Sequence, residues 1–299
     1  MGYLFGPVLS RRLGLSMGVD LLRHKTCNLD CIYCELGRTA CLTTERSRFV
    51  PPEKVILEIQ RRSTEAFDHL TFAGSGEPTL SLDLGDVIRS ARELVDAPVA
   101  VITNSTLLSS HQVRREVAAA DVVLPSLDAA SEEAFSAINR PAKGLSLGGI
   151  IQGLRDLRRE FKGEIWLEVM LVKGINDQEA GRILEAARST RPDRVQLNTV
   201  VRPPAEPVSP LSQEEMEALL EEHPYAELIP DWDWRVPARE RERMIDLLSE
   251  GPCTIEEIED RLGIPRIDTI KYCKILEREG LISRRQGRRR LCFEARRCP

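Results

Sequence analysis

Three cysteines within a stretch of eight residues are the side chains of this sequence most suited to chemistry. Cys27, Cys31 and Cys34 follow the spacing CxxxCxxC in the cysteine loop, residues 25–37. Thiolates at such spacing ligate zinc, form a redox pair or hold an iron–sulfur cluster. A structural zinc site needs a fourth ligand, for which Cys41 is the candidate. The other four cysteines, which burial in a core explains, are at positions 253, 273, 292 and 298.

The size and composition of the chain indicate a cytoplasmic protein with one large and one small domain. Its 299 residues suffice for both domains, and 30% of them are charged. No apolar run reaches the roughly 18–20 residues that span a bilayer, and residues 1–7 lack the features of a signal peptide. We therefore expect no membrane contact and no disulfide framework. Residues 238–299 carry 15 basic and 12 acidic residues, so the basic part of this acidic chain is its end.

Apolar, β-branched segments alternate with amphipathic segments along the first two thirds of the chain. The predicted strands lie at 17–22, 69–74, 99–103, 121–126, 165–172 and 194–198. The predicted helices lie at 52–63, 82–95, 109–120, 131–138, 146–161 and 176–190. This alternation indicates a parallel sheet with crossover helices. Six units are too few for a closed eight-stranded barrel, so the sequence predicts an α/β fold, a partial (β/α)6 TIM-like barrel.

Small polar residues follow the predicted strands at their carboxyl ends, where parallel sheets place functional groups. After the second strand comes the glycine turn, Gly74-Ser75-Gly76-Glu77. Alone, the turn is weak evidence, because any tight turn produces two glycines so spaced. Its position beside other polar strand ends strengthens it, because these ends should line one concave surface next to the cysteine loop. The other positions are Thr103, Asn104, Ser126, Asp128 and Asn198, with Glu168 inside the fifth strand.

The combination of CxxxCxxC, Tyr33 before the last cysteine, and Gly74-Ser75-Gly76-Glu77 resembles the radical S-adenosylmethionine (SAM) superfamily over residues 1–205. The resemblance implies that Cys27, Cys31 and Cys34 hold a 4Fe-4S cluster and leave one iron open to SAM. It also implies an external electron donor such as flavodoxin or ferredoxin. An electron from the cluster would cleave SAM to methionine and a 5'-deoxyadenosyl radical, which abstracts a substrate hydrogen.

The same resemblance implies roles for individual residues in cofactor binding. Tyr33 should lie near the adenine of SAM, and Glu77 should hold the methionine amino group beside the backbone of the glycine turn. Candidates for contacts with the ribose and methionine ends of SAM, or with the substrate, are Thr103, Asn104, Ser126 and Asp128, followed by Glu168 and Asn198.

Simpler roles exist for several of these side chains. Ser126 and Asp128 could cap the helix that begins near residue 131. Glu168 could pair with a buried arginine or lysine. Lys25, a neighbour of the cysteines, is either solvated or in contact with the substrate.

Further segments narrow the resemblance to uncharacterised iron–sulfur oxidoreductases related to the wyosine-synthesising tRNA enzymes. These segments are residues 5–14, 34–39, 138–141 and 171–177. The wyosine enzymes carry a second cluster on cysteines upstream of the radical motif, whereas residues 1–26 contain no cysteine. We therefore do not expect the wyosine reaction itself, although RNA or nucleoside modification stays open.

The end of the chain has the pattern of a winged helix-turn-helix domain at 237–299, after a linker with one short helix at 206–236. Helices are predicted at 239–249, 254–263 and 266–279, followed by a hairpin that turns at Gln286-Gly287. Seven arginines between 284 and 297 predict phosphate contacts with RNA or DNA. The acidic second helix also suits a protein partner.

The alternatives to an RNA-modifying enzyme are a DNA-binding regulator that senses redox state or SAM, and a radical enzyme acting on a protein or small molecule.

Overall fold

A computed structural model describes residues 2–229, 236–264, 266–286 and 291–296. The described residues fall into two compact units: residues 3–229 form the first, and residues 236–264, 266–286 and 291–296 form the second, to which Gly2 is also assigned. Within these residues, no helix combines the length and the apolar character needed to cross a membrane.

The first unit alternates strands and helices in the predicted order. Its strands are β1 (Leu4–Ser10), β2 (Gly14–Val19), β3 (Thr26–Cys27), β4 (Cys41–Leu42), β5 (His69–Phe72), β6 (Val99–Thr103), β7 (Val122–Pro125), β8 (Glu164–Leu171), β9 (Arg194–Thr199) and β10 (Ala226–Leu228). Its α-helices are α1 (Pro52–Arg62), α2 (Leu84–Leu94), α3 (His111–Val117), α4 (Glu132–Asn139), α5 (Leu147–Glu160), α6 (Ala180–Ser189) and α7 (Gln213–Glu222).

Eight strands form one sheet in the order β1-β2-β5-β6-β7-β8-β9-β10. The strands from β2 to β10 run parallel, which confirms the predicted α/β fold with a parallel sheet. The first parallel strand begins at Gly14, three residues before its predicted start. The antiparallel edge strand β1 was not predicted, because Pro7 interrupts its pattern and proline is tolerated only at edges or bulges.

The two faces of the sheet carry different residues, as alternation along a strand requires. On β8, Leu167, Val169 and Leu171 join the main apolar core, to which the helices α1 to α6 also contribute. The intervening residues, among them Trp166 and Glu168, point to the other, concave face. There Trp166 packs in a smaller cluster that includes buried residues of β6 and β7.

Contacts between distant strands show that the sheet is curved. Arg12, in the turn before β2, lies 2.8 Å from Glu168 on β8, and Arg11 donates a hydrogen bond to Asn198 on β9. In a flat sheet, four strand spacings would separate β2 from β8 by about 19 Å, and five would separate β2 from β9 by about 24 Å. The curvature is consistent with the predicted partial barrel.

The second unit contains three helices and a pair of strands. These are α8 (Ala238–Glu250), α9 (Ile255–Leu262), α10 (Arg266–Arg278), β11 (Ile282–Gln286) and β12 (Leu291–Ala295). The predicted capping box at Thr254 and Glu257 is present at the start of α9, and the antiparallel pairing of β11 with β12 joins Ile282 to Ala295. Gly287, where the hairpin is predicted to turn, lies outside the described residues, as do the arginines at 288–290 and 297.

Candidate functional site

The cysteine loop follows β2 and is held by backbone hydrogen bonds on two sides. The carbonyl of Lys25 accepts hydrogen bonds from the backbone N–H groups of Ala40 and Cys41, both at 3.1 Å. Thr26 forms a parallel bridge with Gly76, which joins the loop directly to the glycine turn. The structure therefore brings the two motifs of the sequence analysis together.

Each of the three thiols of the loop accepts one hydrogen bond from a side-chain nitrogen. One donor is a lysine ammonium and the other two are asparagine amides, from the end of α4 and from the end of β6. The three bonds are Lys25 Nζ to Cys34 Sγ at 2.8 Å, Asn139 Nδ2 to Cys31 Sγ at 3.3 Å, and Asn104 Nδ2 to Cys27 Sγ at 3.7 Å.

Burial shapes the chemistry of the thiols. Burial raises the pKa of the Cys27 thiol to about 11 and that of Cys31 further, because thiolates lose hydration there. A bound metal supplies the positive charge that a buried thiolate lacks. Among the described residues, no three His, Cys, Asp or Glu side chains converge closely enough to hold one ion. Ligation of a 4Fe-4S cluster by the three thiols stays a prediction, as does the zinc alternative that recruits Cys41.

Glu77 connects the turn after β5 to the end of β6. The side chain is only 2% exposed. Its Oε1 accepts hydrogen bonds from the Oγ1 atoms of Thr79 and Thr103 at 2.6 and 2.7 Å, and Oε2 accepts one from the Asn104 N–H at 2.7 Å. Burial raises the pKa of Glu77, and these hydrogen bonds oppose the rise. Contact between Glu77 and the amino group of SAM stays a prediction.

Both glycines of the turn are required by close neighbours. A Cβ atom on Gly76 would lie 1.7 Å from the carbonyl oxygen of Thr26, and Gly74 has φ +144° with Asp20 against it. Asp20 Oδ2 accepts hydrogen bonds from the N–H and Oγ of Ser75, at 3.1 and 2.5 Å. Burial raises the pKa of Asp20 to about 6. The turn is therefore built into the end of β2 as well as into the cysteine loop.

We expect Gly76→Ala to destabilise the protein by about 1–3 kcal/mol or more, because a backbone carbonyl cannot yield as a side chain does. Gly148→Ala is the matched control, since a Cβ on this glycine of α5 meets nothing within 4 Å. In a helix that change should be neutral or stabilising by about 0.5–1 kcal/mol. Thermal unfolding of both variants measures the difference, and equal melting temperatures would contradict the packing argument.

Asp128 holds Tyr33 at the end of β7. Its Oδ2 accepts hydrogen bonds from the Tyr33 hydroxyl at 2.5 Å and from Asn139 Nδ2 at 2.8 Å, and its Oδ1 accepts the Met170 N–H at 3.1 Å. Burial raises the pKa of Asp128 to about 6. The capping alternative is wrong for Asp128, because the side chain of Ser131 caps α4.

A small cavity of about 10 Å³, roughly the space of one water molecule, separates the cysteine loop from the ends of β6 and β7. It brings together three of the predicted strand-end residues, Asn104, Ser126 and Asp128. The full lining is Leu29, Asn104, Ser126, Leu127, Asp128, Phe135, Asn139, Leu147 and Ile150.

Asn198 and Glu168 form a separate group on the concave face. Asn198 Nδ2 donates a hydrogen bond to Glu168 Oε1 at 2.7 Å, and Arg12 pairs with the other carboxylate oxygen. Burial raises the pKa of Glu168, but the charge of Arg12 and the bond from Asn198 outweigh it, so the pKa lies below its usual value. Glu168 is thus paired with an arginine, which was the simpler role considered for it.

Two asparagines in contact with the site were not predicted as site residues. Asn28 is fully buried; its Oδ1 accepts a hydrogen bond from Asn104 Nδ2, and its Nδ2 donates one to Thr106 Oγ1, at 2.6 Å each. Asn139 ends α4 and touches both Asp128 and Cys31. Their polarity inside apolar surroundings was the available signal, but only the folded chain shows what they contact.

The sequence profile of the radical SAM superfamily matches residues 22–187, more than half of the chain. A protein of Brachyspira hyodysenteriae described as GTPase Obg is 42% identical over 219 residues, which are 72% of this chain and 32% of that protein. A UPF0026 protein of Methanocaldococcus jannaschii is 38% identical over 212 residues, 69% of this chain and 66% of its own length. The matched region thus spans about a third of the first relative and about two thirds of the second.

Solved structures agree with these matches at the level of the fold. The crystal structure of a radical SAM methyltransferase from Sphaerobacter thermophilus superposes with a TM-score of 0.53. The superposition covers 71% of this chain and 65% of that enzyme, with 16% sequence identity. At this identity, the likeness concerns the arrangement of strands and helices alone.

Proposed function

Since this chain belongs to the radical SAM superfamily, whose enzymes use a 4Fe-4S cluster and SAM, we propose that the cysteine loop and the glycine turn bind these cofactors. Cys27, Cys31 and Cys34 would ligate the cluster. When bound, the cofactors supply the chemistry: one electron cleaves SAM to methionine and a 5'-deoxyadenosyl radical that abstracts a substrate hydrogen. The observation that carries the proposal is the nitrogen donor at each thiol, beside the buried Glu77.

The residues around the loop would bind and orient SAM. Asp128 fixes the hydroxyl of Tyr33, which would place the ring beside the adenine. The backbone of the glycine turn, Gly74, Ser75 and Gly76, would approach the methionine end of SAM, near Glu77. Further contacts are proposed for Thr103, Asn104, Ser126, Asp128 and Asn198. Burial of Thr103 and Asp128 would help to keep water from the reacting atoms.

Anaerobic reconstitution with iron and sulfide tests the proposal. We expect the reconstituted protein to form 5'-deoxyadenosine from SAM when dithionite is added, and none when dithionite is omitted. Product is measured by chromatography with mass detection. A protein with a full complement of iron and sulfide that yields no 5'-deoxyadenosine would contradict the enzymatic role of the site and favour a sensor.

For the second unit, we propose a winged helix-turn-helix that recruits RNA or DNA, with RNA or a nucleoside as the substrate. Three helices followed by the β11–β12 pair support the architecture. The described arginines of β11 are neutralised in part, because Arg284 pairs with Glu277 and Arg285 with Glu294. Recruitment would therefore depend more on the other five arginines of this stretch, at 288–290, 296 and 297. We also propose a cytoplasmic location and reduction by flavodoxin or ferredoxin.

Nucleic-acid binding should depend steeply on salt, because arginine contacts with phosphates release counterions. We expect fluorescence anisotropy with single-stranded RNA and duplex DNA to show affinity that falls linearly with salt on logarithmic axes. Replacing the arginines at 288–290 by alanine should flatten the slope. If the chain binds neither probe at 50 mM salt, the unit recruits a protein or serves another purpose.

A further inference from the structure

We infer that the side chain of Lys25 is a positioning residue that raises the reduction potential of the cluster, so that the cluster accepts an electron more readily. The inference rests on the proposed function, because it takes the three cysteines as cluster ligands. It assigns to Lys25 a role other than solvation or substrate contact.

Lys25 is an unusual residue in two respects. The residue is buried, with 4% exposure, although lysine is almost never buried unless it is paired. Its backbone adopts φ +54°, a left-handed conformation that lysine disfavours. Two unfavourable features at one position indicate that the surrounding structure holds the residue for a purpose.

The partner of the buried ammonium is a thiol. Lys25 Nζ lies 2.8 Å from Cys34 Sγ. The backbone carbonyl of Lys25, and not its side chain, accepts the hydrogen bonds from Ala40 and Cys41 that hold the loop. The backbone hydrogen bonds of the cysteine loop therefore do not involve the ammonium of Lys25. Its side chain is free of that role and can act on the sulfur of Cys34.

The charges around the three thiols are arranged asymmetrically. Cys27 and Cys31 accept hydrogen bonds from neutral amides, of Asn104 and Asn139, whereas Cys34 accepts one from a cation. The buried carboxylate of Glu77 acts on Cys27 and disfavours negative charge there. The ammonium of Lys25 opposes the effect of Glu77 on the charge of the thiols.

A cation beside a ligand sulfur stabilises the reduced form of a cluster more than the oxidised form. Reduction adds one negative charge, and attraction to an ammonium is strong where water is excluded. Hydrogen bonds to the sulfurs and net charge are among the factors that set the potentials of iron–sulfur clusters. In this step, one electron moves from the reductant to the cluster, and Lys25 exchanges neither a bond nor a proton.

The test is an anaerobic redox titration of the reconstituted full chain with dithionite, followed by electron paramagnetic resonance. We expect Lys25→Met to lower the equilibrium constant for one-electron reduction about tenfold, as the loss of a hydrogen bond from a charged donor implies. That factor equals about 59 mV toward more negative potential. Lys25→Arg, which keeps the charge, should stay close to the wild type.

Lys143→Met is the matched control. Lys143 is exposed, and its neighbour Ala142 donates a backbone hydrogen bond to the Asn28 carbonyl in the cysteine loop. A surface charge on a segment bonded to the same loop should be screened by solvent and leave the potential unchanged.

Three results would overturn the inference. The first is a Lys25→Met cluster with the wild-type potential, and the second is an equal shift in Lys25→Met and Lys25→Arg, which would indicate packing rather than charge. The third is failure of both variants to assemble a cluster that the wild type assembles, because the lysine would then build the loop. If the wild type itself binds no cluster, the proposed function is wrong, and the inference about Lys25 is then wrong as well.

Discussion

Cys31→Ala is expected to abolish cluster binding and the formation of 5'-deoxyadenosine. The loss should exceed about 100-fold, because even partners outside the ligand shell typically contribute 10–100-fold in affinity or activity. Cys31 is the middle one of the three cysteines of the loop, and its sulfur accepts a hydrogen bond from Asn139, which also donates one to Asp128. The measurements are iron and sulfide content after reconstitution, and 5'-deoxyadenosine after addition of SAM and dithionite.

Cys41→Ala is the control for this experiment. Cys41 is exposed, and it belongs to β4, which pairs with β3 of the cysteine loop. Its removal should leave iron content and product formation unchanged. A variant without Cys41 that loses its metal, or a variant without Cys31 that keeps a full cluster, would show that the ligand set is wrong.

Glu168→Ala is expected to lower the free energy of unfolding by about 3–5 kcal/mol, the usual cost of removing one partner from a buried ion pair. Arg12 and Glu168 have side chains that are only 12% and 13% exposed, so the variant leaves a buried guanidinium without its carboxylate. The lost contact also joins the turn before β2 to β8 across the concave face. Equilibrium unfolding in urea, followed by circular dichroism, measures the change.

Arg89→Ala is the comparison, because it breaks an ion pair that lies at the surface. Arg89 and Asp86 have side chains that are 57% and 74% exposed, and they are neighbours on α2. Breaking such a pair should change the free energy of unfolding by less than about 1 kcal/mol. If both variants lose the same stability, burial does not make the Arg12–Glu168 pair stronger than a surface pair.

The effect of Glu168→Ala should depend on pH in one direction. Burial raises the pKa of Glu168, but Arg12 and Asn198 lower it more, so the folded pKa lies below the unfolded value of about 4.3. The contribution of the carboxylate is therefore fully present above the unfolded pKa and is lost as the pH falls through the folded pKa. The difference between wild type and variant should be constant above about pH 5 and shrink in acid.

Local sequence patterns carried enough information to predict the parallel sheet and the placing of the glycine turn beside the cysteines. Strands such as β6 and β8 can be predicted because apolar residues on both of their faces are buried, which gives nearly continuous apolar runs in the sequence. The edge strand β1 is not predicted, because Pro7 breaks its pattern. Its stabilising contacts come from other parts of the chain, from β2 by pairing and from Glu58 of α1, which accepts the Leu4 N–H.

The partners of site residues are harder to predict, because they come from distant parts of the chain. Asn139 meets Cys31 across 108 positions, and Arg12 meets Glu168 only because the sheet curves. Contacts between residues so far apart in the sequence cannot be predicted from local propensity or periodicity. The sequence could indicate that Glu168 needs a cation, but not that the turn before β2 supplies it.

Asn104 has a consequence for how the site can be dissected. Its backbone N–H binds Glu77, while its side-chain amide binds Asn28 and contacts the sulfur of Cys27. Because one residue serves both the glycine turn and the cysteine loop, a substitution there perturbs both halves at once, and its phenotype cannot be assigned to either cofactor. Genetic separation of cluster loading from SAM binding has to be made at residues that contact one half alone.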